Sequence, residues 1–253
     1  MLTMKELCER LDRPPIGTFV KIPAIQTVEI LKLSGFDFII IDAEHAPLGM
    51  RDLDAMIMAA RLLELPPVVR VADHGYADAQ RVLDAGAAGV MVPHVSDPVE
   101  ADRVLTQLVH PPSGTRGAGG GMRAGGWGLD PEAASRYTSA EDVWRILMIE
   151  EAEAVENIDR ILGVKHLSAV FIGPSDLSMS MGVPRSDSRV EAAVSLVRDK
   201  ARKSGVPVGT VAATGQAGRR LVQEGYDFVV VGNDTGLFGS ACREAVSTAV
   251  GRS

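Results

Sequence analysis

Eight short runs dominated by Val, Ile and other apolar residues recur along the 253 residues, each bounded by Gly, Pro or Asp and separated by segments of helical spacing. They fall at 16–21, 37–42, 66–71, 88–93, 144–150, 168–173, 207–211 and 227–232. The runs are nearly continuous in apolar residues, the mark of strands covered on both faces, as in a parallel sheet wrapped by helices. An open doubly wound sheet is built from the same units, but eight candidates favour closure into a (β/α)8 barrel, a fold of about 250 residues. The chain is therefore read as one barrel domain spanning 1–253, with an extra helix over 2–12 ahead of the first strand.

Local signals support this alternation. Asp97 followed by Pro98 reads as a helix start, Thr27 as the cap of a helix that ends at Gly35, and 77–86 as a helix that closes on glycine. SGFDFIIID at 34–42 and EGYDFVVVG at 224–232 repeat one pattern of helix end, turn and strand. From 109 to 138 the alternation breaks, and the centre, GAGGGMRAGGWG, is too rich in glycine for a regular element, so it reads as a functional or interface loop. Gly119, Gly121 and Ala124 loosely match a dinucleotide fingerprint, but no strand leads directly into them.

Composition narrows the partners. With 46% hydrophobic and 23% charged residues, a net charge of -7 and no run of Lys or Arg, the chain offers no basic surface for nucleic acid or anionic lipid. Its segments are too short to span a membrane, its first dozen residues lack the apolar stretch of a secretory signal, and Cys8 and Cys242 stand far apart. These features point to a cytoplasmic protein acting on small molecules.

In such a barrel the active site lies on the rim formed by the carboxyl ends of the strands. There the predicted strands deliver Asp42, Glu44 and His45, then Arg70, then Glu150, then Gly173-Pro174-Ser175-Asp176. Carboxylates gathered this closely call for compensation, and a cation held by Glu150 and Asp176 supplies it. Two carboxylates with remaining positions left to water or substrate suit Mg²⁺ or Mn²⁺, with Co²⁺ a further choice, whereas zinc prefers His or Cys. The plainer alternative is that each acid caps a helix or pairs with an arginine. His45 is the natural acid–base group, with a structural role as its alternative, and His94 is a secondary candidate. His74, His110 and His166 read as solvated. Arg70 suits a substrate carboxylate or a developing enolate oxygen, or else a salt bridge with Asp42 or Asp84. Lys21, the one lysine near the rim, would be needed for Schiff-base chemistry.

Taken together, GTFVKIP (17–23), IDAEHAP (41–47), LDAGAAGVMVPHV (83–95), HPPSGTRG (110–117), IEEAEAVENID (149–159), FIGPSDLSMSMG (171–182) and DFVVVGNDTGLF (227–238) resemble the metal-dependent pyruvate aldolases of the HpcH/HpaI type. The likeness covers nearly the whole chain. Glu150 and Asp176 stand 26 positions apart, and Asn157 follows seven residues after the glutamate, which sets the register on Glu150 rather than Glu151. The resemblance implies a divalent-metal aldolase that joins or splits pyruvate and an aldehyde through a metal-stabilised pyruvate enolate. It assigns His45 as base, Asp84 as the carboxylate orienting it, Arg70 to the pyruvate moiety, and the backbone of Gly173, Pro174 and Ser175 to its carboxylate. Aldehyde selectivity is expected at Phe19, Ala212 and the loop around Arg123 and Trp127. The resemblance also implies a homo-oligomer, a hexamer built as a trimer of dimers, with the last helix exchanged between subunits. Two positions depart from the pattern: Met148 stands where many members have Gln, and His94 turns the usual VPMV into VPHV. The alternatives are an acyl-CoA carbon–carbon lyase of the citryl or malyl type and a barrel that binds a keto acid without turnover.

Overall fold

A computed structural model describes residues 4–74, 76–139 and 143–251. Eight parallel strands close into a barrel in sequence order: β1 Ile16–Val20, β2 Phe38–Asp42, β3 Pro67–Arg70, β4 Gly89–Val92, β5 Trp144–Ile149, β6 Ala169–Ile172, β7 Val208–Ala212 and β8 Phe228–Asn233, with β8 returning to pair with β1. Each matches a predicted run to within a residue at either end. Around them lie α1 Met4–Arg10, α2 Ile25–Leu33, α3 Met50–Leu62, α4 Tyr76–Ala85, α5 Pro98–Gln107, α6 Pro131–Thr138, α7 Ala152–Glu156, α8 Ile158–Leu162, α9 Pro174–Ser180, α10 Ser188–Lys203, α11 Gly215–Gln223 and α12 Asp234–Ala249. Among the described residues no helix is long and apolar enough to cross a membrane.

Side chains alternate between two layers because successive strand residues face opposite sides. Phe38, Ile40, Val68, Met91, Ile146, Met148, Phe171, Phe228 and Val230 fill the barrel interior, and Leu7 of α1 joins them, so the extra helix plugs the barrel. Ile39, Ile41, Val69, Val90, Leu147, Ile149 and Val170 point outward and pack with the helices. The two matching segments share one device. Gly35 and Gly225 take φ of 89° and 87°, and Asp37 and Asp227 then accept hydrogen bonds from the amides of Ile16 and Val208 at 2.7 and 2.9 Å. Each aspartate thereby pins the foot of a neighbouring strand, which sets register at that edge.

Two local expectations differ from the structure. Thr27 lies inside α2, whose N-cap is Ala24, because the turn at Ile22–Ala24 starts the helix three residues earlier. The segment 109–138 is not wholly irregular: Asp130 accepts from the amides of Glu132 and Ala133 and starts α6 at Pro131, and Arg123–Gly128 forms a 3-10 turn. Glycine is nevertheless needed there, since Gly126 has φ of 63° and the helical geometry breaks across Gly125–Trp127.

Candidate active site

One rim of the barrel opens on a cavity of about 550 Å³ lined by Phe19, Lys21, His45, Arg70, Pro174, Ser175, Asp176, Arg185, Ala212 and Asn233. The strand directions account for most of this set. Phe19 and Arg70 lie at the carboxyl ends of β1 and β3, His45 follows β2, and Asp176 sits in the first turn of α9, which begins directly after β6. Arg185 and Asn233 belong to this lining although the sequence reading passed over them. Arg185 follows α9 in a polar turn, and nothing in its neighbours in sequence marks it.

An ionic network stands at the floor of the cavity. Arg70 donates from Nε and Nη2 to the two carboxylate oxygens of Asp42 at 2.9 and 2.7 Å, lies 3.0 Å from Glu44 Oε2 through Nη1, and stacks 4.9 Å above the Phe19 ring. Lys21 Nζ lies 3.2 Å from Asp42, and the amides of Glu44 and His45 reach the same carboxylate at 3.2 Å each. Burial pushes the Asp42 carboxyl up, but the Arg70 bonds and charge, the His45 amide and Lys21 outweigh it, and the carboxyl is held below its usual value of 3.8. Arg70 thus makes the salt bridge with Asp42 that was its alternative reading, and it also borders the cavity.

Glu150 is 2% exposed at the end of β5. Its Oε1 accepts the His94 amide at 2.9 Å, and a Cβ on Gly173 would stand 2.8 Å from its Oε2, so only glycine lets β6 pass so close. Burial is the main cause that raises the Glu150 carboxyl above its usual range; the His94 amide and ring oppose it, and the charges of Asp176 and Glu44 add to it. A buried carboxylate that faces further acids is relieved by a cation. Glu150 and Asp176 offer hard oxygen donors that fit a divalent ion of the magnesium or manganese kind. Among the described residues no group of three or more His, Cys, Asp or Glu side chains is placed to hold a metal ion.

Glu44 occupies a larger place than its position in the sequence suggested. Its side chain is 8% exposed and touches Arg70, His94 Nε2 at 3.1 Å and His45 Nε2 at 3.8 Å. The signal available was its place two residues beyond the end of β2, between two residues already singled out. His94 has φ of 55°, a left-handed conformation unusual for a side chain of this size, and its ring lies among Glu44, Glu150 and Glu151. Asn157 caps α7 and donates to the Ser96 carbonyl at 3.0 Å, fastening the segment after β4 to the helices after β5.

Several expected partners are not brought together within the chain. Asp84 lies near the end of α4, roughly 12 Å along that helix from its start beside the rim. There its Oδ1 takes Arg116 Nη2 at 2.7 Å and the Tyr137 hydroxyl at 3.0 Å, rather than His45 of the same chain. Arg123 is likewise outside the His45 cavity: it binds Asp54 at 2.9 and 3.0 Å, stacks 5.4 Å from Trp127, and lines a second cavity of about 480 Å³ together with Asp84. Both residues fall on the outer side of the barrel because α4 runs back from the rim and the glycine-rich segment folds over it. Gly173 offers no free amide to a substrate, since its N–H bonds to the Ile149 carbonyl at 3.2 Å. Pro174 has none, which leaves the first-turn amides of Ser175 and Asp176. Met148 is buried in the interior beneath Gly173.

Two histidines expected in solvent are engaged. His110 is 8% exposed, with Nδ1 at 3.2 Å from the Arg116 carbonyl and its ring 4.8 Å from that of Tyr137. His74 lies 2.7 Å from both Glu100 and the Pro93 carbonyl.

Residues 16–241 match the HpcH/HpaI aldolase/citrate lyase family. A hydroxypyruvate/pyruvate aldolase of Rhizorhabdus wittichii is 31% identical over 246 residues, 96% of each chain. A 5-keto-4-deoxy-D-glucarate aldolase of Salmonella arizonae is 32% identical over 235 residues, covering 92% of this chain and 91% of the relative. A crystal structure of an HpcH/HpaI aldolase/citrate lyase family protein from Burkholderia cenocepacia superposes with a TM-score of 0.91 at 29% identity, over 98% of this chain and 99% of that one. A family match across nearly the entire barrel, joined by relatives of equal length, has one meaning: the chain belongs to the HpcH/HpaI aldolase/citrate lyase family.

Proposed function

We propose that this chain is a divalent-metal-dependent aldolase that cleaves and forms 4-hydroxy-2-oxo acids, giving pyruvate and an aldehyde. The observation that carries the reading is the meeting of Asp176, Arg70 and His45 on one cavity, with Glu150 buried close enough to feel the charge of Asp176. The aldolase names of the relatives support the same chemistry and favour free oxo acids over acyl-CoA thioesters.

Glu150 and Asp176 would hold a divalent cation, which when bound would supply an electron sink for the oxo acid, whose C2 oxygen must accept the developing charge. Arg70, fixed by Asp42, adds positive charge beside that oxygen without having to reorganise. The amides of Ser175 and Asp176 receive the C1 carboxylate at the start of α9. His45 takes the proton of the C4 hydroxyl; the C3–C4 electron pair passes to the enolate, the aldehyde departs, and protonation at C3 yields pyruvate. Phe19 and Ala212 border the space left for the aldehyde. Lys21 is engaged with Asp42, and an amine so paired is a poor nucleophile, which favours the metal route over a Schiff base.

Asp84 and Arg123 enter this scheme from a second copy of the chain, since neither reaches the His45 cavity of its own barrel. α12 supports an oligomer: of its sixteen residues only Asp234 is buried, while Leu237, Phe238 and Val246 are exposed, as suits a helix that packs on a neighbour. A hexamer with α12 exchanged is the assembly proposed. Both cysteines are free, in keeping with a reducing cytosol.

The test is pyruvate release from a panel of 4-hydroxy-2-oxo acids with Mn²⁺ or Mg²⁺. EDTA should stop it, borohydride should not, and His45→Ala should lower kcat by about 10²-fold or more while metal binding persists. No pyruvate from any member of the panel would leave the reading of a non-catalytic keto-acid barrel.

A further inference from the structure

Three cationic side chains line the cavity that holds His45: Lys21, Arg70 and Arg185. The first two have their counter-charges within the chain, in Asp42 and Glu44. Arg185 has none: among the described residues its guanidinium makes no ion pair and no hydrogen bond. Asp187, two residues on, is committed to Arg189, which bonds its Oδ1 and Oδ2 at 3.0 and 2.8 Å. On its outer side Arg185 borders a groove of about 330 Å³ that contains Glu191 and Glu224, but Glu224 lies 3.6 Å from Arg198 and Glu191 forms no ion pair with Arg185. Among the described residues the only carboxylate in the lining of the cavity itself is Asp176, assigned above to the cation. Arg123, expected to help choose the aldehyde, is bonded to Asp54 and faces another cavity.

The backbone beneath Arg185 is fixed. Gly182 takes φ of 65° where α9 ends, the Val183 amide donates to the Ser178 carbonyl at 3.0 Å, and the Asp187 amide donates to the Pro184 carbonyl at 2.9 Å. Only the side chain is left to order when an anion arrives. A second donor borders the same cavity. Asn233 Oδ1 accepts from the Gly236 amide at 2.7 Å and the Thr235 hydroxyl at 2.6 Å, which orients the side-chain amide and leaves Nδ2 without an acceptor among the described residues. Arg185 follows β6 and α9, and Asn233 ends β8; the rim after the last strands is where barrels of this kind frequently take anionic groups.

We propose that Arg185 and Asn233 Nδ2 form a subsite for a second acid group, carried at the far end of the aldehyde half, so that the substrates are 4-hydroxy-2-oxo acids with an acid at each end. The inference rests on the aldolase reading above. In that reading the first-turn amides of α9 take the C1 carboxylate and Arg70 stands beside the C2 oxygen, which leaves Arg185 as the positive group of the cavity with nothing negative beside it. A cavity of about 550 Å³ lies within the range of roughly 300–1,000 Å³ usual for small-ligand sites and exceeds what the pyruvate moiety alone fills. A guanidinium and an amide N–H suit the oxygens of a carboxylate, and a phosphate offers the same kind of acceptors. Because Arg185 is exposed, the contact discriminates among aldehydes rather than supplying a large share of affinity.

The experiment measures addition of pyruvate to aldehydes by the full-length protein supplied with Mn²⁺. Aldehydes of two to five carbons with a terminal carboxylate are each compared with their methyl ester, and glyceraldehyde 3-phosphate is compared with glyceraldehyde. Expected in wild type is a kcat/KM about tenfold higher for the acid than for its uncharged counterpart at the chain length that fits, carried by KM and shrinking as salt is raised. Arg185→Gln should bring that ratio near one, Arg185→Lys should restore part of it, and Asn233→Asp, which keeps the oxygen that caps α12, should turn it against the acid. A larger preference for the phosphate, lost in Arg185→Gln, would support the subsite and name phosphate as its group. Equal use of charged and uncharged aldehydes by wild type, or a ratio unchanged in Arg185→Gln, would overturn the subsite and leave the aldolase standing. No condensation with any aldehyde would remove the aldolase reading and this inference together.

Discussion

Asp42 shows what a single buried charge does in this barrel. Its side chain is fully buried, yet it receives two bonds from Arg70, two backbone amides and Lys21. Removing one partner of such a pair strands the other, so Asp42→Asn should cost about 3 kcal/mol at neutral pH in urea unfolding. Because the folded carboxyl titrates below 3.8, its contribution is complete above that value and fades as the pH falls through the lower folded one. The gap between wild type and Asp42→Asn should therefore narrow below about pH 4; a gap that stays constant into acid would contradict the assignment. Met148 poses a different question, because it places an apolar side chain beneath Gly173 at the floor of the site. Met148→Gln should lower KM for the oxo acid about fivefold with kcat little changed, as one added hydrogen bond of about 1 kcal/mol predicts. The identities of these residues were legible in the sequence, but their partners were not: Glu44 stood in plain view, and only the convergence of β2, β3 and β4 gave it three neighbours.

At the scale of elements, strands were easy to read and caps less so. A run such as FIIID is buried on both faces whatever surrounds it, so its chemistry alone declares a strand in a helix-wrapped sheet. Thr27 misled because capping residues are common inside helices too, and the turn that begins α2 depends on Ile22 and Ala24. The paired segments ending in Asp37 and Asp227 were visible as a repeat, whereas their purpose, holding a neighbouring strand by its amide, needed the strand beside them. Asp227→Ala should destabilise the chain by about 1–2 kcal/mol without altering metal affinity, measured by urea unfolding and chelator competition. A comparable loss of metal affinity would show that the foot of β7 is coupled to the rim.

For the molecule as a whole, the decisive fact is that Asp84 and Arg123 face one cavity and His45 another. A dyad of His45 and Asp84 does not form within one chain, and under the proposed oligomer it would be assembled across a subunit boundary. His45→Ala and Asp84→Ala should each be nearly inactive alone, while the two chains expressed together should regain about a quarter of wild-type activity, because random assembly restores that share of intact sites. No recovery would place the two residues in one subunit or deny Asp84 its role. Spacing along the chain could not reveal this, since a residue number carries no information about which end of a helix meets which neighbour.

The order of apolar runs, the breaks of Gly, Pro and Asp between them, and the acids at the strand ends came from the sequence alone, because burial on two faces and closure by eight strands follow from local pattern. The grouping of Glu44 with Arg70 and His94, the closeness of Gly173 to Glu150, and the removal of Asp84 from His45 were decided by tertiary structure. Those relations join residues on different strands or on opposite ends of a helix, and their distances exist only once the barrel has closed.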